Sequence, residues 1–334
     1  MTSLPNRSWS RRSLMIAGTS AAAALSLAPV VGRRQSRCVF VARNQDYTHR
    51  LVRTIEDGFR NVEFDLAKLR GKRVLLKPNL VEPSRDAPHM TTHPAVILAA
   101  AEVFRRQGAR VTVGEAPGHV RDTEFALAES GVQAALDEVQ LPFADLNYED
   151  VRWARNQGRR SKLDGFCFPR SVVDADLIVS MPKMKTHHWM GVTAAMKNMY
   201  GVIPGSVYGW PKNVLHYAGI PETVNDINAS LPPLVTIVDG IECMEGDGPI
   251  MGTPKPMGLI LVGSNLTAVD ATVSRLMQLD PQQVPYLKLA AGRLGPVRES
   301  LIRQRGERWQ ELSQPFQILD RPHLRPLREG IKIS

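Results

Sequence analysis

The chain has 334 residues, 43% hydrophobic and 22% charged, ordinary proportions for a folded domain that exclude disorder as its main state. Its formal charge of +9 lies at the ends: residues 1–28 carry +3, residues 29–43 carry +4 and residues 293–334 carry +4, leaving −2 for residues 44–292. A nearly neutral body excludes a protein that grips DNA or RNA through a basic face, so no nucleic-acid partner is expected.

In chain order, Arg11-Arg12 precedes an uncharged stretch from Leu14 to Gly32 rich in Ala, Ser and Gly. A basic region followed by a modest apolar one is the pattern of a signal segment, and the paired arginines point to the twin-arginine export machinery. The protein is therefore expected in the periplasm or cell envelope. Cleavage after Ser26-Leu27-Ala28, cleavage near Ala22-Ala23-Ala24 and an uncleaved membrane anchor all fit.

A short apolar run at Cys38–Ala42 opens the body, followed by helical patterns around Thr48–Phe59 and Leu66–Gly71. Arg73–Leu76 reads as a strand ending at Lys77-Pro78-Asn79. Pro94 opens a helix over 95–107 that Gly108 closes, with Pro and Gly in their preferred places. Arg110–Val113 is the next strand, ending at Gly114-Glu115-Ala116, and helices follow over 122–130 and 132–138. Leu177–Ser180 ends at Met181-Pro182-Lys183, and Leu234–Val238 ends at Asp239-Gly240. Leu259–Val262 precedes a helix over 268–279 that carries Asp270 in its first turn. Continuous apolar strands alternating with helices predict an α/β fold, a mostly parallel sheet with helices on both faces. Ligands of such sheets bind outside the carboxyl ends of the strands, where four of these polar ends lie.

The densest polar segment runs from Pro182 to Gly205 and holds Lys183, Lys185, Thr186, His187, His188, Trp189, Lys197 and Asn198, read as a partly buried loop. Ammonium groups beside free backbone N–H groups suit a phosphate or carboxylate. No GxxxxGK[ST] loop is present. Lys212 and His216 would share a helix face at i and i+4. Thr91-Thr92-His93-Pro94 stands before a helix, able to cap it or to offer its positive end to an anion. From Asp239 to Pro249 the chain is acidic and glycine-rich; Glu245 and Asp247 are candidate oxygen ligands for a divalent cation, or partners for the lysines. Cys38, Cys167 and Cys243 lie far apart without a CxxC pair, so no iron–sulfur cluster is expected and three thiols are.

Together Lys77-Pro-Asn-Leu, Thr92-His93-Pro, Asp176-Leu-Ile-Val-Ser-Met-Pro-Lys-Met-Lys-Thr-His187 and Met196-Lys-Asn-Met-Tyr-Gly201 resemble the domain of unknown function 362 family. Leu215-His216, Thr236-Ile-Val-Asp-Gly240, Met244-Glu-Gly-Asp-Gly-Pro249 and Ala268-Val-Asp270 extend the resemblance over about residues 73–295. It implies an α/β domain and little about the reaction. Some members carry ferredoxin-like cysteine clusters, and this chain has none. The organisation expected is a signal segment over 1–32, an extension over 33–72, the family domain over 73–295 and a basic extension over 296–334.

These readings lead to an exported enzyme acting on a small anionic substrate. Lys185, His187 and Asp239 are its candidate catalytic groups, with Lys77, Asn79, Thr92, His93, Lys197, Asn198 and His216 as ligand-binding groups. Glu245 and Asp247 are the candidate metal ligands. The alternatives are a non-catalytic binding protein using the same crevice and a redox protein with an acquired cofactor.

Overall fold

The computed structural model describes residues 37–119 and 121–329; the twin-arginine segment lies outside them. The first strand, β1 (Cys38–Ala42), and helix α1 (Arg50–Asn61) come from the segment expected as an extension. Next come β2 (Arg73–Lys77), α2 (Pro94–Arg106), β3 (Arg110–Glu115), α3 (Thr123–Glu129), α4 (Val132–Glu138) and β4 (Phe143–Asp145). Strands β5 (Val151–Arg155) and β6 (Gly165–Pro169) form a separate two-stranded ribbon that leads into α5 (Arg170–Val173). The chain returns through β7 (Leu177–Ser180), β8 (Lys183–His187) and β9 (Gly191–Thr193). Four helices follow: α6 (Ala195–Asn198), α7 (Gly205–Tyr208), α8 (Asn213–Tyr217) and α9 (Ile220–Ser230). Long strands β10 (Leu234–Glu245) and β11 (Thr253–Gly263) precede α10 (Leu266–Leu276), and β12 (Arg303–Gly306) comes from the basic C-terminal segment.

The main sheet runs β12-β1-β11-β10-β7-β2-β3-β4, with β8 and β9 added beside β10. Pairings from β10 through β4 are parallel, as are β1 with β12 and β10 with β8. Strand β11 is antiparallel to both β1 and β10, and β9 to β8. The fold is thus α/β, on a mostly parallel mixed sheet. Both terminal segments put strands into it.

Alternation along the central strands feeds two cores, one on each face. Leu75 of β2 and Ile178 of β7 join the core containing Met196, Met199 and Tyr200. Val74, Leu76, Leu177 and Val179 join the opposite core with Phe59 and Phe104. Burying each such side chain contributes about 1.5–3 kcal/mol, which fixes the register, since a slip by one residue would exchange the faces. Lys77 follows Leu75 at a spacing of two, so this alternation carries its side chain toward the Met196 side.

Two local expectations are corrected. The Lys183–His187 segment is a strand whose five residues are all buried, held by β10 on one side and β9 on the other. Strand β10 does not end at Asp239-Gly240 but continues to Glu245, with an irregularity between Gly240 and Glu242. Asp239 is therefore mid-strand, where its carboxylate is covered.

Candidate functional site

At the carboxyl ends of β2 and β3, beside β8 and α6, lies a cavity of about 130 Å³. Its lining includes Lys77, Asn79, Glu115, Lys185, His187, Thr193, Lys197, Asn198, Tyr200, Lys212 and His216, with His119, His188 and Trp189 toward one side. Four lysines and four histidines meet a single carboxylate among these residues.

That carboxylate is fully engaged. Lys77 Nζ donates to Glu115 Oε2 at 2.6 Å, to Pro78 O at 2.5 Å and to Asn198 Oδ1 at 3.0 Å. Glu115 also accepts from Leu80 N at 3.1 Å and Ala116 N at 3.0 Å. Gly201 packs on this pair so closely that a Cβ there would collide with both Glu115 Oε1 and Lys77 Nζ. Asn198 Nδ2 donates back to Lys77 O at 3.0 Å and to Ser180 Oγ at 3.2 Å, tying the ends of β2 and β7 to α6.

The remaining ammonium groups face no carboxylate. Lys185 Nζ donates to Met90 O at 2.8 Å and Pro249 O at 3.3 Å. Lys212 Nζ donates to Ala116 O and Tyr200 O, both at 2.8 Å. Its backbone is held at a φ of 68°, a left-handed conformation that costs a residue with a Cβ about 1–2 kcal/mol. Lys197 Nζ stands 4.0 Å from the centre of the Tyr200 ring, and among the described residues it has neither a hydrogen bond nor an ion pair. Burial, assisted by the neighbouring Lys77, lowers Lys197 to about 8. Burial likewise brings Lys212 down to about 7, against the pull of Glu115. Lys185 is held well below the usual lysine range by burial and then by Lys183 and Lys197.

Three of the histidines, His119, His187 and His216, are tuned toward the neutral form, mainly by burial. His187 Nδ1 accepts from Trp189 N at 3.1 Å and Met190 N at 3.3 Å, which leaves Nε2 as the protonated edge of the neutral ring. Burial is the main cause of its lowered pKa, and Lys197 is the largest of the charges that add to it. His216, stacked on Tyr200, is pushed down to about 4 by burial and then by Lys197. Two buried polar atoms, Asn79 Oδ1 and the Thr193 hydroxyl, have no hydrogen-bond partner among the described residues, and such atoms cost about 1–3 kcal/mol each. Chemically, the arrangement offers positive charge, neutral imidazole and amines that can lose a proton near pH 7–8.

The helix turn that carries Lys197 and Asn198 is anchored from outside the cavity. Asp270 of α10 accepts from Ala195 N at 2.7 Å, Met196 N at 3.0 Å and Tyr286 Oη at 3.0 Å. Burial raises its pKa to about 7 against those bonds.

Seven of the sequence-derived candidates thus line one cavity: Lys77, Asn79, Lys185, His187, Lys197, Asn198 and His216. Others do not. Asp239 pairs with Lys183 at 2.7 Å in a buried cluster closed by Tyr47, whose Oη donates to Asp239 Oδ1 at 3.2 Å and accepts from Lys183 Nζ at 3.1 Å. His93 belongs to that cluster: its backbone N donates to Asp239 Oδ2 at 2.9 Å, its ring stacks on Tyr47, and its Nδ1 caps α2 through Ala95 N. Thr92 bridges strand ends, donating to Met181 O at 2.6 Å and accepting from Asn79 N at 2.8 Å. Glu245 accepts from Gln317 N at 2.9 Å and pairs with Lys255 at 3.4 Å, whereas Asp247 faces His188 at 3.5 Å. Among the described residues no group of three His, Cys, Asp or Glu side chains is placed to hold a metal ion. Cys167 and Cys243 are free thiols on β6 and β10, and Cys38 is buried on β1.

Sequence reasoning passes over Glu115, Thr193, Tyr200 and His119 as site residues, and it gives Lys212 only a helix face shared with His216. The polar end Gly114-Glu115-Ala116 was the one available signal for Glu115. A larger groove of about 620 Å³ lies between α1 and α2. Its acidic and basic side chains pair with each other, Arg60 and Arg53 with Asp57 and Arg106 with Glu56 and Glu102.

The model of Domain of unknown function (DUF362) matches residues 74–275, a span that holds every lining residue named above. The chain belongs to the DUF362 family. A thylakoid-associated protein, sll1697, of Synechocystis sp. is 29% identical over 231 residues, 67% of this chain and 68% of that protein. Among solved structures, the lactate racemase apoprotein of Thermoanaerobacterium thermosaccharolyticum aligns with a TM-score of 0.44 and 12% identity over 72% of this chain. This chain spans 57% of that protein's length. No helix among the described residues is long and apolar enough to cross a membrane.

Proposed function

We propose that this DUF362 protein is an enzyme of the cell envelope and that the cavity is its active site for a small anionic substrate. The observation that carries this reading is the imbalance of charge: Lys185, Lys197 and Lys212 converge on one cavity whose single carboxylate is already committed to Lys77. Buried cations without counter-charges destabilise a fold, and an anion bound among them removes that cost. A cavity of about 130 Å³ suits a phosphate or a short-chain acid. His187, neutral with Nε2–H available, is the acid–base candidate.

The test is native mass spectrometry of the protein purified from its own compartment. A co-purifying small anion that Lys197→Met abolishes supports the reading, as does turnover of that anion. Retention of the same anion by the variant contradicts it, and binding without turnover reduces the enzyme to a binding protein. Export rests on Arg11-Arg12 and the uncharged stretch behind it; the Synechocystis relative is named for its association with a membrane system. Changing both arginines to lysine should leave the protein in the cytoplasm, as fractionation would show; unchanged extracytoplasmic accumulation would remove that part of the proposal.

A further inference from the structure

Among the four cavity lysines, three are locked by acceptors and one is not. Lys77 spends three N–H bonds, on Glu115, Pro78 O and Asn198. Lys185 and Lys212 each spend two on backbone carbonyls. An ammonium has three donors, so each of these two keeps one N–H for a ligand. Lys197 spends none; its nitrogen stands over the Tyr200 ring face.

We propose that Lys197 is a nucleophilic amine that condenses with the carbonyl carbon of a short 2-oxo carboxylate. This rests on the reading of the cavity as a site for small anions and narrows it to a substrate class. A lysine whose only job is to hold an anion needs its N–H groups aimed by acceptors around the site. A lysine that attacks carbon must shed a proton and present a lone pair, which costs least where no hydrogen bond is lost. Burial in an apolar setting beside other cations is what makes a lysine nucleophilic at neutral pH. At half-buried Lys197 desolvation is the main cause of a pKa lowered to about 8, with the neighbouring Lys77 adding to it, and among the described residues no acceptor holds its nitrogen.

The surrounding groups fit such a substrate. The carboxylate takes the spare N–H of Lys185 and of Lys212, and the carbonyl oxygen takes His187 Nε2–H. The Lys197 nitrogen lone pair forms a bond to the carbonyl carbon as the C=O π pair moves onto oxygen, which takes the His187 proton. The nitrogen returns one proton to the imidazole, giving a neutral carbinolamine. Its hydroxyl then leaves as water with that proton, the nitrogen lone pair closes the C=N bond, and the remaining N–H proton passes back to His187, which leaves a neutral imine. The balance is one amine plus one carbonyl giving one imine plus one water, with no oxidant or reductant.

The test uses the full chain incubated with pyruvate, glyoxylate or 2-oxobutanoate, with sodium borohydride added to reduce any imine. The expected result is one reduced adduct per chain on the peptide bearing Lys197. Adduct formation should increase as pH rises through about 8, and Lys197→Met or Lys197→Arg should abolish it. Lys212→Met should keep the adduct at a higher half-saturating concentration. Calorimetric titration with the same acids, without borohydride, separates the two claims. Binding without an adduct overturns the nucleophile and leaves the anion site standing. An adduct on another lysine also overturns it. Absence of binding by these acids and by inorganic phosphate overturns both.

Discussion

Lys183 and Lys185 stand two residues apart on one face of β8, and they live in opposite electrostatic worlds. Lys183 is closed in by Asp239 at 2.7 Å and by Tyr47, with His93 stacked behind. Every charge in that cluster has its opposite, and Asp239 further receives the backbone N–H of His93 and of Ile241. Lys185 opens instead on the cavity, with two carbonyls and no carboxylate, beside Lys197 and Lys212. Burial is equal at the two positions; the counter-charge differs. A buried pair that is complete holds strands together, whereas buried cations left over after pairing form a site waiting for an anion.

Breaking each side in turn separates the two roles. Lys183→Met strands the Asp239 carboxylate in the core and should cost about 3–5 kcal/mol of stability, the usual effect of removing one partner of a buried pair. Lys185→Met removes a cation that has no partner charge. Its loss of two hydrogen bonds to carbonyls is offset by the desolvation it relieves, so it should cost no more than about 1 kcal/mol. Chemical denaturation of both variants measures the difference. Equal losses would mean that Lys185 is as structural as Lys183.

The same contrast explains what could be read from the sequence. Apolar runs such as Leu177-Ile-Val-Ser and Leu234-Val-Thr-Ile-Val announced their strands because burial on both faces leaves no polar position. Lys183-Met-Lys-Thr-His187 also alternates with the period of a strand, but its regular face is charged, and a charged face signals solvent until partners are known. Six of the seven cavity residues were legible because they sit at strand ends or in the lysine-rich segment, and His216 because it stands four residues after Lys212. Asp239 shared that signature yet lies mid-strand, since β10 runs on beside β8 and β11. Nothing local in the sequence states that continuation, or that Lys183 would reach Asp239 across 56 positions. Lys212 was passed over for the converse reason: its carbonyl partners on Ala116 and Tyr200 come from other elements. Sequence patterns locate charges at an edge of the sheet, and the long-range pairing decides which remain unpaired.

The most direct test of the unpaired side is proton-linked binding. Burial, the main cause at both, brings Lys212 down to about 7 and Lys197 down to about 8. An anion favours the charged amines and raises both values, so protons must be taken up on binding between those pH values. The sign follows: affinity is greatest below pH 7 and falls as pH rises through 7 to 8 and beyond. Isothermal titration with inorganic phosphate at pH 7.5, in two buffers of different ionisation enthalpy, reads the proton count. We predict net proton uptake that shrinks in Lys197→Met, with affinity reduced by about tenfold or more, the loss of one charge-assisted hydrogen bond. Phosphate binding with no proton uptake, or with uptake and affinity unchanged in that variant, would contradict the account.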